Sequence, residues 1–101
     1  MSKQAIGILE TKGLTCLVSG TDAMLKSANV TLTGPMRQVG SAMCHVVVEG
    51  DVAAVKAAID SGAAAASQIG SVISAHVVAR PDDSITDVLP AKAKPAGRAK
   101  K

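Results

Sequence analysis

The sequence contains no Phe, Tyr or Trp. RNA-binding sheets and single-strand channels stack bases on aromatic rings, so those modes of recognition are excluded. Aromatic cages for cationic ligands are excluded as well, and so is the interfacial aromatic belt of a membrane protein. Cysteine is scarce: Cys16 and Cys44 stand far apart and form no C-x-x-C pair. Long hydrophobic runs are missing too. No window approaches about 18 uninterrupted apolar residues, so no segment is expected to span a membrane. The first residues, Met1-Ser-Lys-Gln, lack the basic region and apolar stretch of a signal peptide. Few cysteines and no such signal suit a reducing, cytoplasmic compartment.

What remains is small and aliphatic. A chain of 101 residues has room for one small domain, and 48% hydrophobic against 19% charged residues is a globular balance. The apolar fraction is dominated by 18 Ala and 12 Val. A buried Val, Leu or Ile contributes roughly 1.5–3 kcal/mol and Ala much less, so this core is thin. With no disulfide framework or evident metal site, oligomerisation is the expected source of further burial. The net charge of +3 is unevenly placed, because Lys92, Lys94, Arg98, Lys100 and Lys101 supply five of the eleven basic residues. Residues 1–90 carry six basic against eight acidic groups. Residues 91–101 read as a disordered, solubilising basic tail following a folded domain at 1–90.

Periodicity marks out the elements of the domain in order. Residues 5–10 read as a strand closed by a turn at Lys12-Gly13, and residues 14–18 as a second short apolar run. Ser19 and Asp22 have capping-box spacing, which predicts a helix from there to about Ala28. Residues 30–33 are β-branched and alternating, and Gly34-Pro35 breaks them. Residues 36–42 form a loop or the twisted end of a hairpin. In residues 43–49, Cys44, Val46 and Val48 share one face and Met43, His45, Val47 and Glu49 the other. Asp51 is placed to cap a helix over residues 52–69. Its stripe comprises Val52, Val55, Ile59, Ala63, Ala66 and Ile69. Gly62 inside it costs about 1 kcal/mol relative to Ala unless close packing compensates. Residues 72–80 are a last strand, and residues 84–89 a short final helix. The order β-α-β-β-α-β predicts an α+β, ferredoxin-like domain, one antiparallel sheet with both helices on one face and the other face open.

Reactive constellations are sparse. Cys44 and His45 point to opposite faces of a strand, and neither His45 nor His76 has metal-ligand spacing, so no metal or cofactor is expected. No Ser/His/Asp arrangement or phosphate-loop spacing is present. An enzyme is not expected.

Several segments together resemble a known family. Residues 5–13, AIGILETKG, are similar to the opening of the hexameric BMC-domain shell proteins of bacterial microcompartments. Residues 21–30, TDAMLKSANV, resemble that family's first helix and its exit, and residues 48–58, VEGDVAAVKAA, its G-D-V-x-A-V-K-A-A segment. Residues 61–66 and 76–81 extend the likeness, which covers about residues 4–90. The resemblance implies a flat homohexamer that tiles edge to edge with other hexamers and other shell proteins around encapsulated enzymes, with a narrow axial pore for small metabolites. It implies that Gly40, Ser41 and Ala42 line the pore. It also implies that Lys26, Asn29 and Arg80 lie at the boundary between hexamers. No cofactor, membrane or nucleic acid is implied.

Three departures stand out. Residues 35–39 are one residue longer than in many relatives. Ala42 stands where Gly is common, although Ala disfavours positive φ. Residues 79–82 read Ala-Arg-Pro-Asp where Pro-Arg-Pro-His is usual. The first two bear on pore size and selectivity, the third on edge packing. Two other readings compete: a small oligomeric ferredoxin-like regulator binding a ligand between subunits, and a basic-tailed nucleic-acid binder. Short loops without a phosphate motif oppose the first, and missing aromatics with a mildly acidic body oppose the second.

Overall fold

Gly13 decides how the chain begins. The structure, a computed structural model, describes residues 4–89. Strand β1 (Ala5–Lys12) ends at Gly13, whose φ of 104° only glycine adopts readily, and helix α1 (Leu14–Ser27) starts at the next residue. The helix therefore begins one and a half turns earlier than Ser19. Residues 14–18 are helical, and Ser19 lies inside the helix rather than capping it. The apolar spacing of Leu14 and Val18 fits a helix as well as a separate run, and the glycine turn settles it.

Two short strands follow, β2 (Thr31–Leu32) and β3 (Arg37–Gly40), then β4 (Met43–Gly50). Both β2 and β3 pair antiparallel with β4, so they form one edge interrupted by Gly34-Pro35. The stretch expected as a loop or hairpin end is thus the hairpin arm β3 and its turn. Helix α2 (Val52–Ser67) follows Asp51, which occupies the cap position but makes no side-chain capping bond; only its carbonyl accepts, from Val55 N–H at 2.8 Å. Strand β5 (Ser71–Val78) pairs antiparallel with β1, and a 3₁₀ turn spans Asp83–Asp87. The sheet order is β2-β4-β1-β5, with β3 beside β4. This is the expected α+β ferredoxin-like arrangement in a single domain, with five strands because its second strand is divided. The basic segment 91–101 lies outside the described residues.

Both helices cover one face of the sheet. Leu9, Cys44, Val46 and Val48 point into that layer and are buried, as the alternation predicts. They meet Leu17 and Met24 of α1 and Val55, Ala58 and Ile59 of α2. The expected α2 stripe holds at its centre but not at its ends, since Val52 and Ile69 are exposed. The opposite face is not fully open. The segment after β5 turns back over it, Pro81 is buried, and a cavity of about 200 Å³ is lined by Ile6, Glu49, Pro81, Ile85 and Leu89 among others.

The helix layer is set by glycine. A Cβ on Gly20 would stand 2.9 Å from the Gly62 carbonyl oxygen, and one on Gly62 would stand 3.0 Å from the Gly20 carbonyl oxygen. The close packing that offsets the intrinsic helix penalty of Gly62 is therefore contact with the backbone of α1. Gly20→Ala is expected to lower stability by about 1–2 kcal/mol, because backbone overlap outweighs the gain in helix propensity. Urea denaturation at fixed protein concentration measures this, and unchanged or raised stability would show that the helices separate at little cost.

Candidate functional site

The hairpin between β3 and β4 turns on Ser41 and Ala42, flanked by the paired residues Gly40 and Met43. Gly40, Ser41 and Ala42 have φ values of 99°, 54° and 66°. Positive φ at both central residues marks a type I′ turn, whose twist matches that of the strands it joins. Ala42 thus adopts the left-handed conformation that a glycine would take more cheaply, so its presence does not change the turn class. All three residues are exposed, and Ser41 stands at the tip of the hairpin.

The tip is tied to the β1–α1 junction. The Gly13 N–H donates to the Ala42 carbonyl at 2.7 Å, and the Cys44 thiol donates to the same oxygen at 3.6 Å. The sequence suggests a turn at Gly13 and a buried face for Cys44, but not their link to the loop, because most of that link is main chain. No group of three or more His, Cys, Asp or Glu side chains among the described residues gathers to hold a metal. Nor is any helix among them long and apolar enough to cross a membrane. His45 is half-buried on the face away from the helices, while Cys44 is buried beneath them.

The other three candidate residues lie at the far end of the sheet. Helix α1 returns from Gly13 towards the start of β1, so its last turn carries Lys26 to that end, and Asn29 follows just beyond. Strand β5 pairs Val78 with Ile6, which brings Arg80 to the same end. Lys26, Asn29 and Arg80 are all exposed. Lys26 pairs with Asp22 at 2.9 Å across one helical turn. Both side chains are more than half exposed, so the pair contributes roughly 0.3–0.5 kcal/mol at most. The topology therefore groups Lys26, Asn29 and Arg80 at one end and Gly40, Ser41 and Ala42 at the other. Eight-residue strands place about 25 Å between the two ends.

The family model of the BMC domain matches residues 5–81, which include both groups. The chain belongs to the BMC-domain family. The bacterial microcompartment shell protein PduA of Citrobacter freundii is 50% identical to it over 90 residues, covering 89% of this chain and 96% of that protein. The shell protein EutM of Salmonella typhimurium is 48% identical over 87 residues, covering 86% of this chain and 90% of that protein. These relatives are structural shell proteins and not enzymes. A solved structure of a microcompartment protein from Desulfitobacterium hafniense DCB is similar in fold, with a TM-score of 0.73 and 26% identity over 91% of this chain. The chain spans about half, 52%, of the length of that protein.

Within this BMC domain the left-handed turn gives a direct test. An L-residue in that conformation costs about 1–2 kcal/mol, and glycine's extra freedom when unfolded returns part of this. Ala42→Gly is expected to raise stability by about 0.5–1 kcal/mol in urea denaturation. A loss of stability would show that the Ala42 methyl group makes a favourable contact.

Proposed function

We propose that this chain is a structural tile of a bacterial microcompartment shell, acting without catalysis as a cyclic homohexamer inside the bacterial cell. Gly40, Ser41 and Ala42 of six copies surround an axial pore. Lys26, Asn29 and Arg80 lie on the perimeter, where hexamers meet each other and other shell proteins edge to edge. The shell encloses enzymes, and their small polar metabolites pass through the pore.

The observation that supports this most is the separation of the two groups by the length of the sheet. A ring needs one end of each protomer at its axis and the other at its rim, and a cyclic assembly repeats both six times. The turn presents backbone groups and the Ser41 hydroxyl rather than bulky side chains, which suits the lining of a narrow polar opening. The thin core supports the oligomer. Leu14, Val18 and Leu25 lie along one side of α1 and are 43–48% exposed, apolar surface that a neighbouring copy would cover. The relationship to shell proteins over most of the chain supports the shell role itself.

Native mass spectrometry tests the assembly first. Six copies of a 10.1 kDa chain give about 61 kDa, and that mass or its multiples is expected. A dimer or trimer would overturn the reading. In Lys26→Asp the hexamer mass is expected to persist while extended sheets disappear in electron micrographs; normal sheets would remove Lys26 from the edge. Ser41→Gln is expected to slow the passage of small polar solutes into assembled shells, and unchanged flux would place the pore elsewhere.

A further inference from the structure

The end of the sheet that carries the hairpin tip is closed by four hydrogen bonds among five residues. Thr11 and Cys44 face each other in register across β1 and β4, on the side covered by the helices, and both are fully buried. The Thr11 hydroxyl donates forward to the Gly13 carbonyl at 3.1 Å. The Cys44 thiol donates backward to the Ala42 carbonyl at 3.6 Å. Gly13 and Ala42 then join directly through the 2.7 Å bond from the Gly13 N–H. The Gly13 carbonyl also accepts the Leu17 N–H at 3.3 Å, which ties the cluster to the first turn of α1.

We propose that Thr11 and Cys44 are positioning residues for the pore loop. Cys44 holds the Ala42 carbonyl that accepts the Gly13 N–H, and Thr11 holds the carbonyl of Gly13 itself, so together they fix the elbow and the turn against each other and with them the direction in which Ser41 projects. This rests on the reading of Gly40, Ser41 and Ala42 as the pore lining. The physical need for such a latch is plain. The turn has two non-glycine residues in the left-handed region, and its outer arm β3 is exposed along its whole length. Packing alone gives the tip little restraint. A buried hydroxyl and a buried thiol are held to those partners because neither can turn to water. The wall opposite the tip is the glycine elbow, whose N–H donates to the turn and whose φ of 104° redirects the chain into α1.

The test pairs isosteric variants that delete a donor with variants that keep one. Site-resolved amide hydrogen exchange is measured on the native assembly, with the Gly13 amide compared to the mid-strand amides of Leu9 and Val46. Thr11→Val and Cys44→Val are each expected to speed Gly13 exchange about five- to tenfold relative to those strand amides. Thr11→Ser and Cys44→Ser are expected to leave it near the original rate. Glycerol flux into assembled shells should change in the valine variants and not in the serine variants. A general loss of stability would accelerate all three amides together, so the ratio separates a latch from ordinary core packing. Unchanged relative exchange in both valine variants would overturn the latch. Faster Gly13 exchange with unaltered flux would overturn its role at the pore. The pore reading itself fails if Ser41→Gln leaves flux unchanged or if the native mass is not that of a hexamer or its multiples, and in either event the exchange ratio still decides whether the latch exists.

Discussion

The close approach of α1 and α2 is the contact on which the rest of the molecule depends. Gly20 and Gly62 each face the other's carbonyl at a spacing that leaves no room for a side chain. Gly7 repeats the arrangement between β1 and α2, where an added Cβ would overlap Ile59 and Val55. With no aromatic residue to fill volume, the layer coheres by bringing backbones together, so Leu9, Leu17 and Met24 are buried by aliphatic partners alone. Once the helices lie this close, the length of α1 determines where its last turn ends, and with it the position of Lys26.

Such a core is well packed but shallow. It encloses Leu9, Leu17 and Met24 completely and leaves Leu14, Val18, Ile69 and Ile73 exposed at its margins. The sheet has the same character: β1 and β4 are largely buried, while β3 and most of β5 are exposed edges. A domain built this way fits a role as a repeated unit, in which neighbours complete the burial that each protomer lacks.

The legible parts of the fold were those where burial imposed a period. The two-residue alternation of Cys44, Val46 and Val48 pointed to the buried face of β4, and the three-and-four spacing of Val55, Ile59 and Ala66 to that of α2. The start of α1 was not legible, because it is decided by the Gly13 backbone rather than by any apolar pattern. The strand β3 was hidden for the opposite reason: all four of its residues are exposed, so no alternation marks it. The compensation for Gly62 could be anticipated, but its partner could not. Gly20 reads as the first residue after a helix cap, and its place in mid-helix shows only once the helix is known to begin at Leu14. Of the candidate site residues, the split into two groups follows from the directions of the strands and of α1. The bonds behind the turn involve backbone atoms that leave no mark in composition.

The φ values at Ser41 and Ala42 also restrict what the tip can become. Side chains branched at Cβ are effectively barred from this region, whereas Gly, Asn and Asp enter it most readily. The vocabulary of substitutions open to the proposed pore is therefore short and polar before any selection on transport acts. A lineage that altered the opening could readily install an amide or a carboxylate at the tip. Reaching a Val, Ile or Thr there would require rebuilding the hairpin. The chemistry such an aperture can explore is bounded by the handedness of its turn.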